Sequence, residues 1–170
     1  LVIPAHTTES CPDSVDIYQS ALHLINKIDQ PSNLIACCIG GSDAVSLNKD
    51  LYSKITFPLV TGAWVFDKNA LSRMWMIFSA FETIITDVIG SHIPYALACG
   101  AKVEIIKPKK PLNKNAILDK EPFYKANPDL LDFVLKEKTK SGLRKNFPEI
   151  FNASSEVDRI TTGYNLLLHD

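Results

Sequence analysis

Residues 82–106 read ETIITDVIGSHIPYALACGAKVEII, and the pattern of this stretch decides the fold. Apolar residues predict a strand over 82–86, a helix over 89–99 and a second strand over 102–106. Gly100 follows the helix where glycine commonly takes the left-handed cap. A strand, a helix and a strand with such short connections indicate two parallel strands joined by a covering helix.

The same alternation extends toward the amino terminus. The apolar run Leu-Ile-Ala-Cys-Cys-Ile at 34–39 is typical of a strand that is buried on both faces. Helix starts are predicted at Ser10, after the Gly-Gly-Ser-Asp turn at 40–43 and at Asp67, which we expect to be a helix cap rather than a catalytic acid. Further strands are predicted over residues 1–4 and 56–60. The sequence therefore predicts an α/β fold, a parallel Rossmann-like sheet of about five strands with helices on both faces.

The chain is expected to divide into a core and an extension of one domain. Residues 1–106 form the Rossmann-like core, and residues 107–170 form a loop and a helical carboxyl-terminal tail. Helical patterns lie at 128–138 and 154–168, whereas no clear period is visible up to about residue 124. We expect the tail to pack across the sheet or onto a partner domain outside this chain.

Composition narrows the functional classes. The 170 residues fit one domain, and 18 basic against 19 acidic residues give no general reason to expect a nucleic-acid partner. No apolar run approaches the ~20 residues that span a bilayer, so we expect a cytoplasmic protein without a transmembrane segment. The chain begins within a predicted strand, so we expect its start to be a cut made in a longer protein, or just outside a domain. That parent could associate peripherally with the inner face of the membrane.

The cysteines do not indicate a metal site. None of the four forms a CxxC pair or has a zinc-like spacing. We predict reduced core thiols, with the adjacent Cys37 and Cys38 on opposite faces of their strand. No metal site is predicted elsewhere.

Ligands of open parallel sheets bind beyond the carboxyl ends of the strands. Three predicted loops leave such ends, at residues 5–8, 61–64 and 86–92. In the third, Gly90 lies near the first turn of a helix, where glycine lowers stability unless a backbone must approach closely. Backbone N–H groups and the positive helix end would hold a phosphate there. The alternative is a Thr/Asp cap with an incidental glycine and a histidine satisfied by hydrogen bonds.

Single residues near these loops have two interpretations each. Trp64 is either a platform for a base or a plug at the sheet edge. Arg73 is either a phosphate partner or a solvated charge. His6 is either a general base or phosphate ligand, or a structural histidine. The P-loop and GxGxxG motifs are absent, which argues against a standard NTPase and a typical dinucleotide-binding dehydrogenase.

Three stretches together resemble a known family. They are VIPAHTT at 2–8, VTGAWVFDKNALSR at 60–73 and TDVIGSHIPYALACGAKV at 86–103. Their order and spacing resemble the carboxyl-terminal, donor-binding half of GT-B-type glycosyltransferases. The resemblance is closest to poorly characterised proteins encoded with bacterial capsule and O-antigen genes. In these a Gly-x-x-x-Asp-x-x-x-Leu-x-Arg segment precedes a helix that begins with Gly-Ser/Thr-His.

The resemblance implies a site for a UDP-, GDP- or CMP-linked sugar. The Gly62 loop with Trp64 would lie near the base. The diphosphate would be held by the residues around the predicted helix start, with Arg73 as a partner; these are Thr86, Gly90, Ser91 and His92. His6 would face the cleft toward a missing amino-terminal, acceptor-binding domain, and His6 and His92 are the candidate catalytic groups. The family usually has Asn in place of Asp87, whose negative charge beside a phosphate requires compensation from Arg73, a lysine or a metal.

Three functions remain open at this point. The first is the donor-binding domain of a glycosyltransferase that makes bacterial surface polysaccharide, and this fragment is expected to bind the nucleotide without turnover. The second is a non-catalytic Rossmann-like interaction or scaffold domain. The third is half of a GT-B-like sugar-nucleotide epimerase, which requires further acidic and basic groups in the cleft.

Overall fold

The structure, a computed structural model, describes residues 1–5, 17–29, 34–46, 56–64, 66–107, 114–137 and 139–168. Five strands in these ranges form one sheet: β1 (Val2–Ile3), β2 (Cys37–Ile39), β3 (Leu59–Thr61), β4 (Thr83–Thr86) and β5 (Lys102–Ile105). Their order across the sheet is β3-β2-β1-β4-β5, and every neighbouring pair is parallel. The predicted five-stranded parallel sheet is confirmed.

Helices cover the sheet and extend beyond β5. In chain order they are α1 (Ile17–Ile25), α2 (Gly41–Ser46), α3 (Ala70–Ser79), α4 (His92–Ala98), α5 (Lys114–Lys120), α6 (Pro122–Ala126), α7 (Pro128–Glu137), α8 (Lys140–Asn146), α9 (Glu149–Asn152) and α10 (Glu156–Leu168). Val2 packs with Leu24 of α1, whereas Ile3 packs with Phe78 of α3 and Ala96 of α4. Because neighbouring residues of a strand point to opposite faces, these contacts confirm helices on both faces.

The two adjacent cysteines follow the same alternation. Cys37 packs with the α1 residues and Cys38 with those of α3 and α4, and both thiols are free. Burial raises the pKa of Cys37 to about 12 and that of Cys38 to about 11. Both are therefore protonated, unreactive core thiols at neutral pH, as predicted.

Helix α4 begins later than the sequence pattern indicates. Residues 89–91 form a turn, in which the N–H of Ile93 donates to the carbonyl of Gly90 at 3.1 Å. The carboxyl-terminal end of α4 has the predicted left-handed glycine, because Gly100 has a φ of +83°. The N–H of Gly100 donates to Leu97 O and that of Ala101 to Ala96 O, which is the Schellman arrangement.

The prediction that Asp67 caps α3 is wrong. The helix begins at Ala70, and the N-cap is Asn69, which makes no side-chain cap hydrogen bond. The Asp67 carboxylate instead accepts from the N–H of Asn69 and from Arg73. An aspartate two residues before the cap closes a local turn, which the sequence pattern does not distinguish from a true cap.

The tail contains more helix than predicted. The predicted helices at 128–138 and 154–168 correspond to α7 and α10, but α5 and α6 occupy the stretch where no period was visible. These two helices have seven and five residues, too few for an apolar period to repeat. Among the described residues, no helix has both the length and the apolar composition needed to cross a bilayer.

Helix α10 attaches the tail to the core by close packing on α4. A Cβ atom added to Gly163 would lie 2.2 Å from the backbone nitrogen of Ala98, so only glycine permits this approach. Arg159 adds a hydrogen bond from Nε to Gly100 O at 2.8 Å. The α4 helix therefore packs on the sheet with one side and on α10 with another.

We expect the Gly163→Ala substitution to destabilise the protein by about 1–3 kcal/mol, because the added methyl group would separate α10 from α4. Helix propensity alone predicts the opposite sign, a gain of about 1 kcal/mol. Urea unfolding gives the difference, and Thr161→Ala, at an exposed position of the same helix, is the control. An increase in stability for Gly163→Ala would contradict the close packing.

Candidate functional site

The carboxyl ends of the strands form one edge of the sheet, and the order of the strands changes direction there between β1 and β4. The helix that follows β1 packs on one face, and the helix that follows β4 packs on the other. Such a switch point opens a crevice in which doubly wound folds bind ligands. The described parts of the three predicted loops, Ala5, residues 61–64 and residues 86–92, all leave this edge.

Asp87 lies at the switch point and connects its two sides. The residue is buried, and its Oδ1 accepts from the backbone N–H of Ala5 at 2.8 Å. Its Oδ2 accepts from the hydroxyl of Ser20 in α1 at 2.5 Å. One carboxylate thus joins the end of β4, the end of β1 and the helix that follows β1. Both of its oxygens therefore have donors within the protein, but neither donor carries the positive charge that compensation beside a phosphate requires.

Ser20 is a residue that the sequence interpretation missed. It is buried beside Ala21 and Leu24, two residues of the apolar stripe of α1. A serine on the buried side of a helix needs a hydrogen-bond partner. This requirement is the feature of the sequence that could have identified Ser20. The sequence does not identify the partner, because Asp87 is 67 positions away.

Thr86 closes the turn that follows β4. The side chain is fully buried, and its hydroxyl lies 3.1 Å from Val88 O and 3.2 Å from Val88 N. Nε2 of His92 approaches the same oxygen at 3.2 Å. When the hydroxyl donates to Val88 O, His92 must donate from Nε2. The turn therefore uses the Thr86 hydroxyl and one edge of the imidazole for its own structure.

Gly90 makes room for the folded-back imidazole. A Cβ atom at this position would lie 3.2 Å from His92 Nδ1 and, among the described residues, would meet only His92. Ser91 is the N-cap residue of α4, but it is exposed and its hydroxyl makes no cap hydrogen bond. The turn thus presents a glycine backbone and a serine hydroxyl at the helix start, with His92 half-buried behind them.

The Gly62 loop packs on the first turns of α3. Gly62 is buried, its N–H donates to Ile39 O at 2.8 Å, and an added Cβ would lie 3.1 Å from the Cys38 sulfur. The N–H of Ala63 donates to the sulfur of Met74 at 3.1 Å. Packing within the protein is therefore sufficient to explain a glycine at position 62.

Trp64 and Phe66 form an exposed aromatic pair at the end of β3. Their ring centroids are 5.1 Å apart at an angle of 88°, and the rings are 40% and 71% exposed. Trp64 packs against Gly41, where an added Cβ would be 2.5 Å from the Trp64 Cβ. A glycine at the start of α2 thus sets the position of Trp64, and the sequence interpretation did not identify Phe66 as its neighbour.

Arg73 forms an ion pair with Asp67, the residue that follows Phe66 in the sequence. Its Nε lies 2.8 Å from Asp67 Oδ2, and the arginine side chain is half exposed. The hydrogen bond from Arg73 lowers the pKa of Asp67, and the N–H of Asn69 lowers it further. Arg73 is thus partly neutralised by a local carboxylate.

The predicted residues fall into two groups along the edge. Gly62, Trp64 and Arg73 surround the end of β3, and the predicted phosphate residues surround the end of β4. Two strands separate β3 from β4, so the groups are about 14 Å apart at ~4.8 Å per strand. A ligand that uses both must be extended. His6 lies outside the described residues, and within them no three His, Cys, Asp or Glu side chains are grouped to hold a metal ion.

Comparisons with known proteins give no significant match to the chain, whether with protein-family models, curated proteins or solved structures.

We expect Asp87→Asn to lower the free energy of unfolding by about 2 kcal/mol, because an amide offers one acceptor where two donors must be satisfied. Ser20→Ala should lower the free energy of unfolding by about 1 kcal/mol in the wild-type protein, and by less when Asp87→Asn is already present. Urea unfolding of the double-mutant cycle measures both. Asp67→Asn, at an exposed pair, is the control for loss of a carboxylate. Additive effects of the two substitutions would contradict the Ser20–Asp87 bond.

We expect Arg73→Gln to raise the pKa of Asp67 toward its usual value, because the strongest cause of its lowering is removed. NMR of the side-chain carboxyl carbons during an acid titration measures the shift. Asp158 is a matched control, since its pKa is lowered by hydrogen bonds from Ser155 and not by an arginine. An unchanged Asp67, or an equal change at both residues, would contradict the pairing.

Proposed function

We propose that this chain is the nucleotide-sugar-binding domain of a glycosyltransferase that makes bacterial surface polysaccharide. The observation that carries the proposal is the strand order β3-β2-β1-β4-β5, with its switch point between β1 and β4. Helices on opposite faces follow these two strands, and the crevice between them is where such sheets bind nucleotides. The resemblance of residues 2–8, 60–73 and 86–103 to donor-binding halves of GT-B enzymes supports the same site.

The exposed groups along the edge suit the parts of a nucleotide sugar. Trp64 and Phe66 offer aromatic surface for a base at the end of β3. The backbone of Gly90 and the hydroxyl of Ser91 lie at the end of β4, where the diphosphate would bind. The spacing of about 14 Å between these groups favours an extended ligand over a single phosphate ion.

The chemistry would be stabilisation of a leaving group. Charge that builds on the departing phosphate would be met by donors around the start of α4, with Ser91 and His92 as the nearest side chains. A general base for the acceptor hydroxyl would come from the acceptor-binding half or from His6. We therefore expect the 170-residue chain to bind a nucleotide and not to turn it over.

A non-catalytic interaction module is the second candidate, and a specific observation favours it. The distinctive residues of both groups have partners inside the protein: Thr86 and His92 bind each other, Gly62 packs on Cys38, and Arg73 pairs with Asp67. A degenerate site would keep these contacts without binding a ligand. Nucleotide affinity distinguishes the two candidates.

We expect UDP, GDP or CMP to bind the chain and to change the fluorescence of Trp64. The protein has two tryptophans, so a Trp75→Phe variant leaves Trp64 as the reporter. In that background, Gly90→Val should weaken binding by about tenfold or more, equivalent to about 1.4 kcal/mol. The physical reason is that the valine would displace His92 and cover the backbone at the helix start.

Thr161→Val, which adds a branched side chain at an exposed position of α10, is the control. Circular dichroism checks that both variants keep the fold. No binding of any of the three nucleotides at millimolar concentration would favour the interaction module. Unchanged affinity in Gly90→Val would show that the ligand lies elsewhere.

A further inference from the structure

Positive charge is concentrated in one part of the chain. Residues 107–146 contain 11 basic and five acidic side chains, a net charge of +6. The rest of the chain contains seven basic and 14 acidic side chains, a net charge of −7. The overall charge of −1 therefore hides two regions of opposite sign. The positive region covers helices α5 to α8 and residues 107–113 before them in the sequence.

The structure exposes the cations of this region. Lys125 of α6, Lys136 of α7 and Lys145 of α8 are exposed. Two of the five acidic groups are engaged locally: Asp132 pairs with Lys114 at 2.5 Å, and Glu137 accepts from the amide of Asn146. Within helices α5 to α8, seven basic side chains against four acidic ones leave a net charge of +3.

Large apolar side chains are exposed on two of the same helices, α6 and α7. Phe123 and Phe133 are each 61% exposed, and Leu130 is 39% exposed. Helix α7 is apolar on two sides, because Leu131 is buried while Leu130 and Phe133 point outward. Packing within the protein explains Leu131 but not the two exposed side chains. The charged residues of α7 itself are Asp129, Asp132, Lys136 and Glu137, so the other cations beside it come from the helices that contact it, as the Lys114–Asp132 pair shows. An apolar side bordered by cations is typical of an element that lies on a membrane surface.

We propose that helices α5 to α8 form a docking surface for an anionic lipid bilayer, which we call the basic helical surface. Its lysines would approach the headgroups, and Phe123, Leu130 and Phe133 would enter the boundary between headgroups and acyl chains. The proposal goes beyond nucleotide binding and stands without it, because none of these residues belongs to the carboxyl edge of the sheet.

The exposed residues favour a membrane over a single-stranded nucleic acid, the other polyanion that aromatic and basic residues bind. Base stacking requires open ring faces. Leu130 has no ring, and Phe123 makes an edge contact with Tyr124, with centroids 5.4 Å apart. Insertion into the lipid boundary requires only apolar volume, which all three side chains provide.

A second exposed apolar surface provides a matched control. Leu71 and Met76 of α3 are 65% and 73% exposed, but the surrounding helix carries Arg73 as its one charged residue. Lys27 and Lys68 are exposed lysines of the negative region. Substitutions at these positions change apolar area or charge by comparable amounts outside the basic helical surface.

Sedimentation of the 170-residue chain with unilamellar vesicles tests the proposal. We expect binding to vesicles of phosphatidylcholine mixed with phosphatidylglycerol, and little to phosphatidylcholine alone. Binding should weaken in 1 M salt, where the Debye length falls to about 3 Å. Lys125→Gln with Lys136→Gln should weaken it about 25-fold, at about fivefold for each lysine, while Lys27→Gln with Lys68→Gln changes it by less than about twofold.

The apolar part of the surface has its own test. Phe123→Ser with Phe133→Ser should weaken vesicle binding by about tenfold, and Leu71→Ser with Met76→Ser should leave it unchanged within about twofold. All four side chains are exposed, and circular dichroism verifies the fold.

Equal losses in the paired variants would overturn the assignment to this surface. Tighter binding to single-stranded oligonucleotides than to anionic vesicles, with the same residue dependence, would overturn the membrane as the partner. Nucleotide affinity is also measured for the Phe123→Ser, Phe133→Ser variant. This measurement distinguishes a failure of the membrane proposal from a failure of the proposed nucleotide site.

Discussion

The carboxylate of Asp87 accepts one hydrogen bond from the backbone of Ala5 and one from the hydroxyl of Ser20. These bonds join β4, β1 and α1 at the place where the strand order changes direction. A buried carboxylate is costly unless donors satisfy it, so its two partners must keep their positions whenever the protein is folded. The geometry of the switch point depends on this constraint, since its two sides belong to these elements.

The turn after β4 combines internal contacts with groups that the proposed site would use. Thr86 and His92 are joined by a hydrogen bond, and Gly90 gives the imidazole the room that this requires. The same arrangement leaves the backbone of Gly90 and the hydroxyl of Ser91 at the start of α4. A glycine that favours this internal packing would also permit the proposed ligand to approach, so the two interpretations of the motif are compatible.

The carboxyl-terminal part of the chain has two distinct roles in the structure. Helix α10 is anchored to the core, because the missing side chain of Gly163 lets it contact the α4 backbone. Helices α5 to α8 instead hold the surplus of positive charge and exposed phenylalanines. Attachment to the core and the proposed contact with a membrane are thus assigned to separate helices, so substitutions can address each without disturbing the other.

Much of the fold was predictable from local patterns. All five strands and the left-handed Gly100 follow from apolar runs and glycine placement, because these signals are contained within a few residues. The loops at the carboxyl ends of β1, β3 and β4 were identified for the same reason. The start of α4, the cap of α3 and helices α5 and α6 were not predicted correctly. Turns and very short helices depend on hydrogen bonds that several local patterns can satisfy equally well.

The sequence by itself determined the parallel sheet, the alternation of its buried faces and the candidate residues at its carboxyl edge. Only the tertiary structure decided which of those residues are engaged with one another. Ser20 and Asp87 are 67 positions apart, Trp64 lies on Gly41, and Gly163 contacts Ala98. Such pairs are set by the order in which strands join the sheet and by how closely helices pack. No pattern confined to neighbouring residues contains that information, because the contacts exist only once the chain has folded.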